Sequence, residues 1–261
     1  MMDYSFPKFF STFLFVSLFS SYSWSSNCDT LTVVGSDQWI PFAFLNKGDQ
    51  EHIDEKYPTG IAYDVVRLIG SDLHLSIDFQ VGQPWRRIEQ KMDSGQADLL
   101  AGNYWNEERA QKWAITRSFS QDEVRIYTHQ RGRFKFTKIT DLRERHGLIP
   151  SGVSFGQAFD QYKSELDIQE VKDHEQILAM LSHRRTDYII LPYLNTQRKI
   201  KRYGYDGQIV ALEKPLSINQ VHLSLAKQSP CYSDDLLKRI NQVITKRKKD
   251  GSINAIERAY M

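Results

Sequence analysis

The chain of 261 residues has little of what metal sites and covalent catalysis need. Its seven histidines are scattered and never take the paired helical spacing of a metal site. Nor does it contain a nucleophile elbow, a phosphate-binding glycine loop followed by lysine, or a dinucleotide fingerprint. These absences argue against the corresponding enzyme and nucleotide-binding classes, and we expect neither a metal nor a cofactor.

Neither sign of charge dominates the sequence. The 34 basic and 32 acidic side chains are interspersed and give a net charge of +2, which is too small a field to attract nucleic acid or anionic lipid. Two basic runs, at 198–202 and 246–249, lie on predicted helices, where they are expected to be solvated faces. We therefore expect no nucleic-acid partner.

Long apolar runs are equally scarce, and the one candidate stands near the start. Lys8 precedes an apolar run from Phe9 to Phe19 that is short for a bilayer span, and the serines up to Ser26 supply small residues for a signal peptidase. The sequence therefore predicts a signal peptide over residues 1–26 and an exported mature protein. The alternative is a retained membrane anchor, but no stop-transfer pattern follows the run.

Only two cysteines occur, Cys28 and Cys231. An exported chain matures where disulfides persist, so we interpret the two residues as one bridge. Closing so long a loop gives at most about 5 kcal/mol in the simple entropy model. In the alternative, Cys28 is the acylated residue of a lipoprotein, but the residues before it, Ser25, Ser26 and Asn27, lack the lipobox pattern.

Apolar periodicity predicts strands that alternate with helices. In the first half we predict strands at 31–34, 75–81 and 97–101 and helices at 61–69, 85–92 and 107–113. In the second half we predict extended segments at 124–128, 148–149, 168–171, 188–191 and 222–226, and helices at 157–163, 175–182, 234–248 and 253–260. This order predicts an α/β protein with a mostly parallel sheet.

The pattern of the first half recurs in the second, which indicates two similar lobes. If Cys28 and Cys231 pair, the end of the chain returns to the first lobe, so that two strands cross between the lobes and form a hinge. The predicted boundaries place residues 27–125 and 216–261 in lobe 1 and residues 126–215 in lobe 2.

Short motifs follow one another in order from Leu31 to Tyr260. They are Trp39-Ile-Pro41-Phe42, Gly60 with Asp64, Trp85 with Ser94-Gly95-Gln-Ala-Asp98, Asn106-Glu-Glu-Arg109, Phe119-Ser120, Arg185-Thr-Asp187, and Lys249-Asp250-Gly251 followed by Tyr260. Their order and spacing resemble the family 3 extracellular solute-binding proteins, a group that includes polar amino-acid receptors of ABC importers.

The resemblance implies a type II periplasmic-binding fold, with two α/β lobes that close over a ligand by hinge bending. It also implies a periplasmic monomer in which Arg109 grips a ligand carboxylate, a role that suits the planar fork of a guanidinium. The expected ligand-binding residues are Trp39, Phe42, Trp85, Asn103, Tyr104, Arg109, Gly152, Val153, Ser154 and Tyr193. Trp39 and Trp85 are expected to stack on the ligand, and residues 152–154 to offer backbone donors at a helix start.

The chain departs from the family at two places. Pro192 stands where amino-acid receptors carry a carboxylate for the ligand ammonium, and Gly102 and Tyr104 replace hydroxyl residues before the arginine. We therefore expect a carboxylate-bearing ligand with a different second group. Tyr193, Asn195 or Asp64 are the candidates to compensate, although Asp64 is expected to cap its helix instead.

Three functions are compatible with the resemblance. A binding protein would deliver solute to a membrane permease, whereas an orphan or sensory component would only report its presence. A dehydratase on the same fold would need a general acid, for which Asp122, Glu123 and Glu175 are loose candidates. No positioned pair of acids is evident, so we expect a binding protein and not an enzyme.

Overall fold

The computed structural model describes residues 1–2, 28–46 and 57–261. The predicted signal peptide lies outside the described residues, apart from its first two positions. Within the described ranges, no helix combines the length and the apolar composition that a membrane crossing requires.

Strands and helices alternate along the described chain. The strands are β1 (Thr30–Val34), β2 (Gln38–Trp39), β3 (Ala43–Asn46), β4 (Tyr57–Thr59), β5 (Ser76–Phe79), β6 (Leu99–Tyr104), β7 (Trp113–Ile115), β8 (Ser120–His129), β9 (Gly147–Pro150), β10 (Ile168–Val171), β11 (Tyr188–Pro192), β12 (Ile209–Ala211) and β13 (Ser217–Ala226). The helices are α1 (Ile61–Leu73), α2 (Trp85–Asp93), α3 (Glu107–Lys112), α4 (Gln157–Asp160), α5 (His174–Ser182), α6 (Tyr193–Arg202), α7 (Asp234–Lys249) and α8 (Ser252–Tyr260). Short 3-10 turns lie at Gln130–Gly132, Ile139–Leu142 and Lys163–Glu165.

The first lobe is built on three parallel strands, with β1 between β5 and β6. Helix α1 covers this sheet with one apolar face, on which Val65, Val66 and Ile69 are buried. Gly60 directly precedes the first residue of α1. Its φ is 119°, and a Cβ added to it would lie 2.5 Å from the carbonyl oxygen of Phe42, so only glycine fits at this position. Local sequence and packing thus agree on where this helix starts.

The second lobe repeats the arrangement, with β9 between β10 and β11 in a parallel sheet. Helix α5 packs on it through Ile177, Leu178 and Leu181, each of them fully buried. The predicted α/β architecture with two similar lobes is therefore confirmed.

Two long strands, β8 and β13, join the lobes. They pair antiparallel from Ser120 with Val221 to Val124 with Ser217. Beyond this stretch β8 pairs with β11 and β12 in the second lobe, and β13 pairs with β6 and β7 in the first. The two-strand hinge that the sequence predicted is thus present.

The hinge strands also correct two predictions. The crossing segments show no apolar pattern, because residues 121–123 are polar and Ile218 is the only apolar residue of 217–220, so the sequence predicted only the neighbouring parts of these strands. Every pairing made by β8 and β13 is antiparallel. The prediction of a mostly parallel sheet is therefore wrong: the sheet is mixed, with parallel pairing around β1 and β9 and antiparallel pairing at every contact of β8 and β13.

A disulfide joins Cys28 to Cys231, with 5.3 Å between the two Cα atoms and a sequence separation of 203. It ties Cys28, two residues before β1, to the turn that precedes α7. Both ends belong to the first lobe, so the bridge holds the returning C-terminal segment to the lobe where the described fold begins.

Candidate functional site

A cavity of about 850 Å³ lies between the two lobes. The first lobe contributes residues 36–39, 82–86, 88–89, 102–104 and 109, and the second contributes 150–155, 170, 172, 192 and 195. The walls therefore combine loops and strand ends, where ligand sites form on α/β sheets, with residues of α2, α3 and α6.

Eight of the ten expected ligand-binding residues line this cleft. They are Trp39, Trp85, Asn103, Tyr104, Arg109, Gly152, Val153 and Ser154. Phe42 is fully buried behind the wall, with its ring centroid 4.8 Å from that of Trp39. Tyr193 begins α6 and lies under the Arg125 guanidinium, 4.4 Å from its ring centroid. Neither Phe42 nor Tyr193 lines the cavity, because packing against a neighbouring side chain directs each ring elsewhere.

Trp39 is fixed from behind by a buried carboxylate. Its indole Nε1 donates to Asp122 Oδ2 at 2.9 Å, and the Tyr104 hydroxyl donates to the same oxygen at 2.6 Å. The Tyr104 ring also meets the Trp39 ring edge-on, with the centroids 5.3 Å apart. An added Cβ on Gly102 would lie 2.9 Å from the Trp39 ring, so glycine at this position lets the indole lie against β6.

Burial raises the pKa of Asp122 from 3.8 to about 6, and the hydrogen bonds from Tyr104 and Trp39 act in the opposite direction. Burial and the nearby Asp122 also raise the pKa of Tyr104 well above its usual value. Since Asp122 lies on β8, the carboxylate that orients the cleft rings belongs to a hinge strand.

Arg109 is buried in the first-lobe wall, with 6% of its surface exposed. Asn106 caps α3 by accepting from the Arg109 backbone N–H at 2.8 Å, which fixes the start of the helix that carries the arginine. The guanidinium donates to the Tyr104 carbonyl at 3.2 Å and stacks on Trp85, 5.1 Å from its ring centroid. Burial lowers the pKa of Arg109, although the group stays a cation at neutral pH.

Glu89 is a site residue that sequence reasoning missed. Its Oε1 lies 3.5 Å from Arg109 Nη2, and it lines the cleft one helical turn after Trp85. Burial raises the pKa of Glu89, while the Arg109 charge lowers it. The i, i+4 spacing from Trp85 was the available signal, because it places both side chains on one face of α2. The guanidinium therefore meets a protein carboxylate at the position expected to receive a ligand carboxylate.

The second-lobe wall is a tight loop that uses its own donors. The Gly152 N–H donates to Glu170 Oε2 at 3.1 Å, and the Val153 N–H donates to the Pro150 carbonyl at 3.4 Å. The Ser154 hydroxyl donates to Asp160 Oδ2 at 2.5 Å. The expected backbone donors of residues 152 and 153 are thus bonded inside the protein, since the loop folds back on itself before α4.

Asp64 does not have the expected role. Its carboxylate accepts from the Tyr260 hydroxyl at 2.6 Å and from Arg67 at 2.7 Å, and no side chain caps α1. The prediction that Asp64 caps its helix is wrong, because the residue lies inside the helix and faces α8. Asp64 does not line the cleft either, which removes it as a substitute for the missing carboxylate.

Hydrogen bonds across the cleft hold the lobes together on both sides. On one side Asn106 Nδ2 donates to Ser154 Oγ at 3.2 Å, and the Glu107 N–H donates to Gln157 Oε1 at 2.9 Å. On the other side Asn195 Nδ2 donates to the Gln38 carbonyl at 3.1 Å, and Arg198 donates to the Tyr260 carbonyl at 2.7 Å. This structure is therefore a closed form, in which the cleft is bridged at both ends.

None of the three candidate general acids lines the cavity. Asp122 lies behind the rings, Glu123 pairs with Arg125, and Glu175 accepts from the Tyr203 hydroxyl. Among residues 28–46 and 57–261, no cluster of three or more histidine, cysteine or carboxylate side chains has the geometry to hold a metal ion.

Three solved structures are similar to this fold. A histidine kinase sensor domain with similarity to periplasmic binding proteins matches with a TM-score of 0.75 and 18% identity, covering 90% of this chain and 97% of that one. A mutant of ArgBP from T. maritima matches with a TM-score of 0.71 and 17% identity, covering 89% and 95%. The periplasmic VFT2 domain of Bordetella pertussis BvgS matches with a TM-score of 0.68 and 15% identity, covering 91% and 96%.

At these identities the solved structures establish the fold alone, and it is the type II periplasmic-binding fold that the motifs implied. A comparison with curated protein sequences finds no match. The model of a single family matches residues 31–261, which is nearly all of the described chain. The chain belongs to the bacterial extracellular solute-binding proteins, family 3.

Proposed function

We propose that the protein captures a small carboxylate-bearing solute in the periplasm, by closing its two lobes around the hinge formed by β8 and β13. The observation that carries the proposal is the Arg109 guanidinium, buried in the wall of an interlobe cavity and flanked by Trp85. A fixed guanidinium with little access to water binds a carboxylate more strongly than one on the surface.

The walls support an amino-acid-sized ligand with a flat or apolar part. Trp39 and Trp85 line the first-lobe side of the cleft, and stacking on such rings adds about 0.5 to 1.5 kcal/mol beyond burial of area. A cavity of about 850 Å³ also lies within the range of small-molecule sites.

Glu89 competes with an anionic ligand for Arg109, so the protonation of Glu89 controls ligand binding. Its carboxylate already lies beside Arg109, so an anionic ligand either displaces Glu89 or binds when Glu89 is protonated. The ligand carboxylate then takes the position on the guanidinium that Glu89 holds in this closed form.

We further propose that the protein serves an ABC importer as a monomeric receptor. One similar structure is the substrate-binding protein of an amino acid ABC transporter, with a TM-score of 0.71 and 15% identity. A sensory role is the second candidate, because one of the similar structures is a histidine kinase sensor domain. The dehydratase alternative has less support, since none of the three acids that the sequence suggested, Asp122, Glu123 and Glu175, lines the cleft.

The proposal is tested by a thermal-shift screen of amino acids, dicarboxylates, aromatic acids and amines. Binding stabilises the folded state by mass action, so we expect at least one carboxylate to raise the Tm. Arg109→Ala should abolish that rise, whereas the matched control Arg117→Ala, outside the cleft, should keep it. A rise that survives in Arg109→Ala would remove the guanidinium from the site. A screen in which no carboxylate raises the Tm would contradict the proposed function.

A further inference from the structure

The basic side chains are distributed unevenly over the molecule. Five segments of the second lobe contain nine lysines and arginines but only five acidic residues, and they are 129–135, 143–146, 165–167, 183–187 and 201–208. The rest of the chain contains 25 basic and 27 acidic side chains, so it is slightly negative while the five segments carry a charge of +4. The total of +2, which argued against anionic partners, therefore hides a local excess.

The five segments lie together at the end of the second lobe that is opposite the cleft. Strands β9, β10 and β11 are parallel and run from this end towards the cleft, where Pro150 and Pro192 line the cavity. Strand β8 ends here, because it pairs antiparallel with β11, and β12 begins beside it, with Ile209 opposite His129. We call the surface formed by these segments the second-lobe pole.

Contacts between the segments hold the pole together. The Gln130 N–H donates to the Gln208 carbonyl at 2.6 Å, which joins the first segment to the last. The Arg145 guanidinium lies over the Phe134 ring, 4.0 Å from its centroid, and that ring packs 6.5 Å from the ring of Tyr188, the first residue of β11. The basic residues of different segments are therefore parts of one surface.

Four arginines of the pole are exposed and unneutralised. Within the described ranges, none of the four pairs with a carboxylate, and they are Arg131, Arg133, Arg184 and Arg185. The acidic residues of the pole are partly engaged, because Glu165 pairs with Arg143 and Asp187 accepts from the His146 N–H at 2.8 Å. The charge that remains available to a partner is therefore mainly that of guanidinium groups.

The chemistry of the pole favours phosphate groups over a protein partner. Protein interfaces depend on a buried apolar or aromatic centre. Among the described residues, the large apolar side chains with high exposure all lie outside the five segments, and they are Met1, Met2, Tyr57, Trp105, Tyr162, Ile218 and Met261. Guanidinium groups bind phosphate through two parallel hydrogen bonds, and cations spread over five segments match an extended layer of phosphates better than one small anion.

We propose that the second-lobe pole binds the phosphate groups of an anionic lipid bilayer. This inference goes beyond the proposed function and does not depend on it. The attraction is electrostatic, since the pole offers basic side chains and no large exposed apolar side chain for insertion. The cleft lies at the other end of the lobe, so a molecule held at a membrane by this surface keeps its ligand site accessible.

Vesicle sedimentation tests the proposal with protein purified from the periplasm of an expressing bacterium. Vesicles of phosphatidylcholine alone are compared with vesicles of an equal mixture of phosphatidylcholine and phosphatidylglycerol, at low ionic strength. We expect the wild type to bind the mixed vesicles at least about tenfold more strongly, and to lose this preference as sodium chloride is added.

Charge-reversal variants locate the binding surface. Arg131→Glu combined with Arg133→Glu should weaken binding to the mixed vesicles by about tenfold. Arg184→Glu combined with Arg185→Glu, in another segment of the pole, should have the same effect. The matched control is Lys238→Glu combined with Arg239→Glu on the exposed side of α7, which changes the net charge equally and should leave binding within about twofold. The Tm of each variant shows that it is folded.

Three results would count against the inference. Equal binding of the wild type to both kinds of vesicle, or binding to neither, would overturn it and leave the proposed function intact. An equal loss in the control pair would show that total charge governs binding, and not the pole. Inorganic phosphate that competes more strongly than chloride at equal ionic strength would indicate a site for a single anion instead of an extended membrane surface.

Discussion

The two walls of the cleft are built in different ways. In the first lobe, large side chains are held by other side chains: Asp122 binds Trp39 and Tyr104, and Glu89 and Trp85 flank Arg109. In the second lobe, small residues of a loop bind one another, and the amide oxygen of Asn195 is left without a partner.

This difference suggests that the two lobes have different roles in ligand binding. The first-lobe wall is preorganised, since its charged and aromatic groups are oriented before any ligand arrives, which lowers the ordering cost of binding. The second-lobe wall contributes shape and the bonds that hold the closed form. Substitutions in the first wall should therefore change affinity and pH dependence, and those in the second should change selectivity and closure.

The largest expected effect is on the free energy of unfolding, and it comes from removing the disulfide, both ends of which lie in the first lobe. Cys28→Ser combined with Cys231→Ser should lower the free energy of unfolding by up to about 5 kcal/mol, because the bridge closes a very long loop. Urea unfolding of the variant and of the reduced wild type measures the change, and the two should agree. A loss below about 1 kcal/mol would show that the first lobe does not depend on the bridge.

The next effect concerns the buried carboxylate behind the first wall. The folded state favours the protonated form of Asp122, because its pKa is raised from 3.8 to about 6. Stability should therefore decrease as the pH rises from about 4 to about 6, and stay lower above that range. Asp122→Asn should remove this decrease, since the amide oxygen still accepts from Trp39 and Tyr104 and carries no charge, even beside Glu123.

The size of the Asp122 effect follows from its pKa. The difference between 3.8 and about 6 corresponds to about 3 kcal/mol at pH 7.5. Denaturant unfolding of wild type and Asp122→Asn at pH 7.5 and pH 4.5 measures it, and the stability advantage of the variant should be about 2 kcal/mol larger at pH 7.5 than at pH 4.5. A stability difference that is the same at both pH values would contradict the assignment of the titrating group.

A smaller effect, on ligand affinity, is expected at Glu89, the carboxylate beside Arg109 in the first-lobe wall. Glu89→Gln removes a carboxylate that competes for Arg109, so the affinity for an anionic ligand at pH 7.5 should rise on the order of tenfold. Because burial raises the pKa of Glu89, wild-type affinity should also increase as the pH falls, and the variant should lack this dependence. Calorimetry checks both, with Glu108→Gln outside the cleft as the control. Weaker binding by Glu89→Gln would instead make Glu89 a ligand contact.

The smallest effect concerns closure through the second lobe. Gln157→Ala removes the bond from the Glu107 N–H to Gln157 Oε1, so ligand affinity should fall by about threefold while the Tm without ligand hardly changes. Gln161→Ala, one turn later and exposed, should leave affinity unchanged. An unchanged affinity for Gln157→Ala would mean that this bond does not contribute to the closed form.

The sequence predicts the parts of this structure that depend on local pattern. Periodic apolar positions such as Val65 and Ile69 mark α1, and the resemblance to a family places Arg109 and both tryptophans in the cleft. The crossing segments of β8 and β13 escape prediction, because their burial comes from pairing with each other and not from an apolar alternation.

The rest of the site depends on contacts between distant segments. Asp122 is a polar residue in a polar stretch, and only the fold brings it to Trp39, 83 residues away. The unpartnered oxygen of Asn195 likewise becomes visible only when its amide meets Gln38, 157 residues away. Such roles arise from tertiary structure, which one sequence does not reveal.

The central claim is that the lobes close on a carboxylate held by Arg109, and small-angle X-ray scattering tests it most directly. The wild type and Arg109→Ala should be measured with and without a saturating amount of the carboxylate that most raises the wild-type Tm. We predict that the ligand lowers the radius of gyration of the wild type and leaves that of the variant unchanged. An equal radius for the free and the saturated wild type would contradict closure by hinge bending.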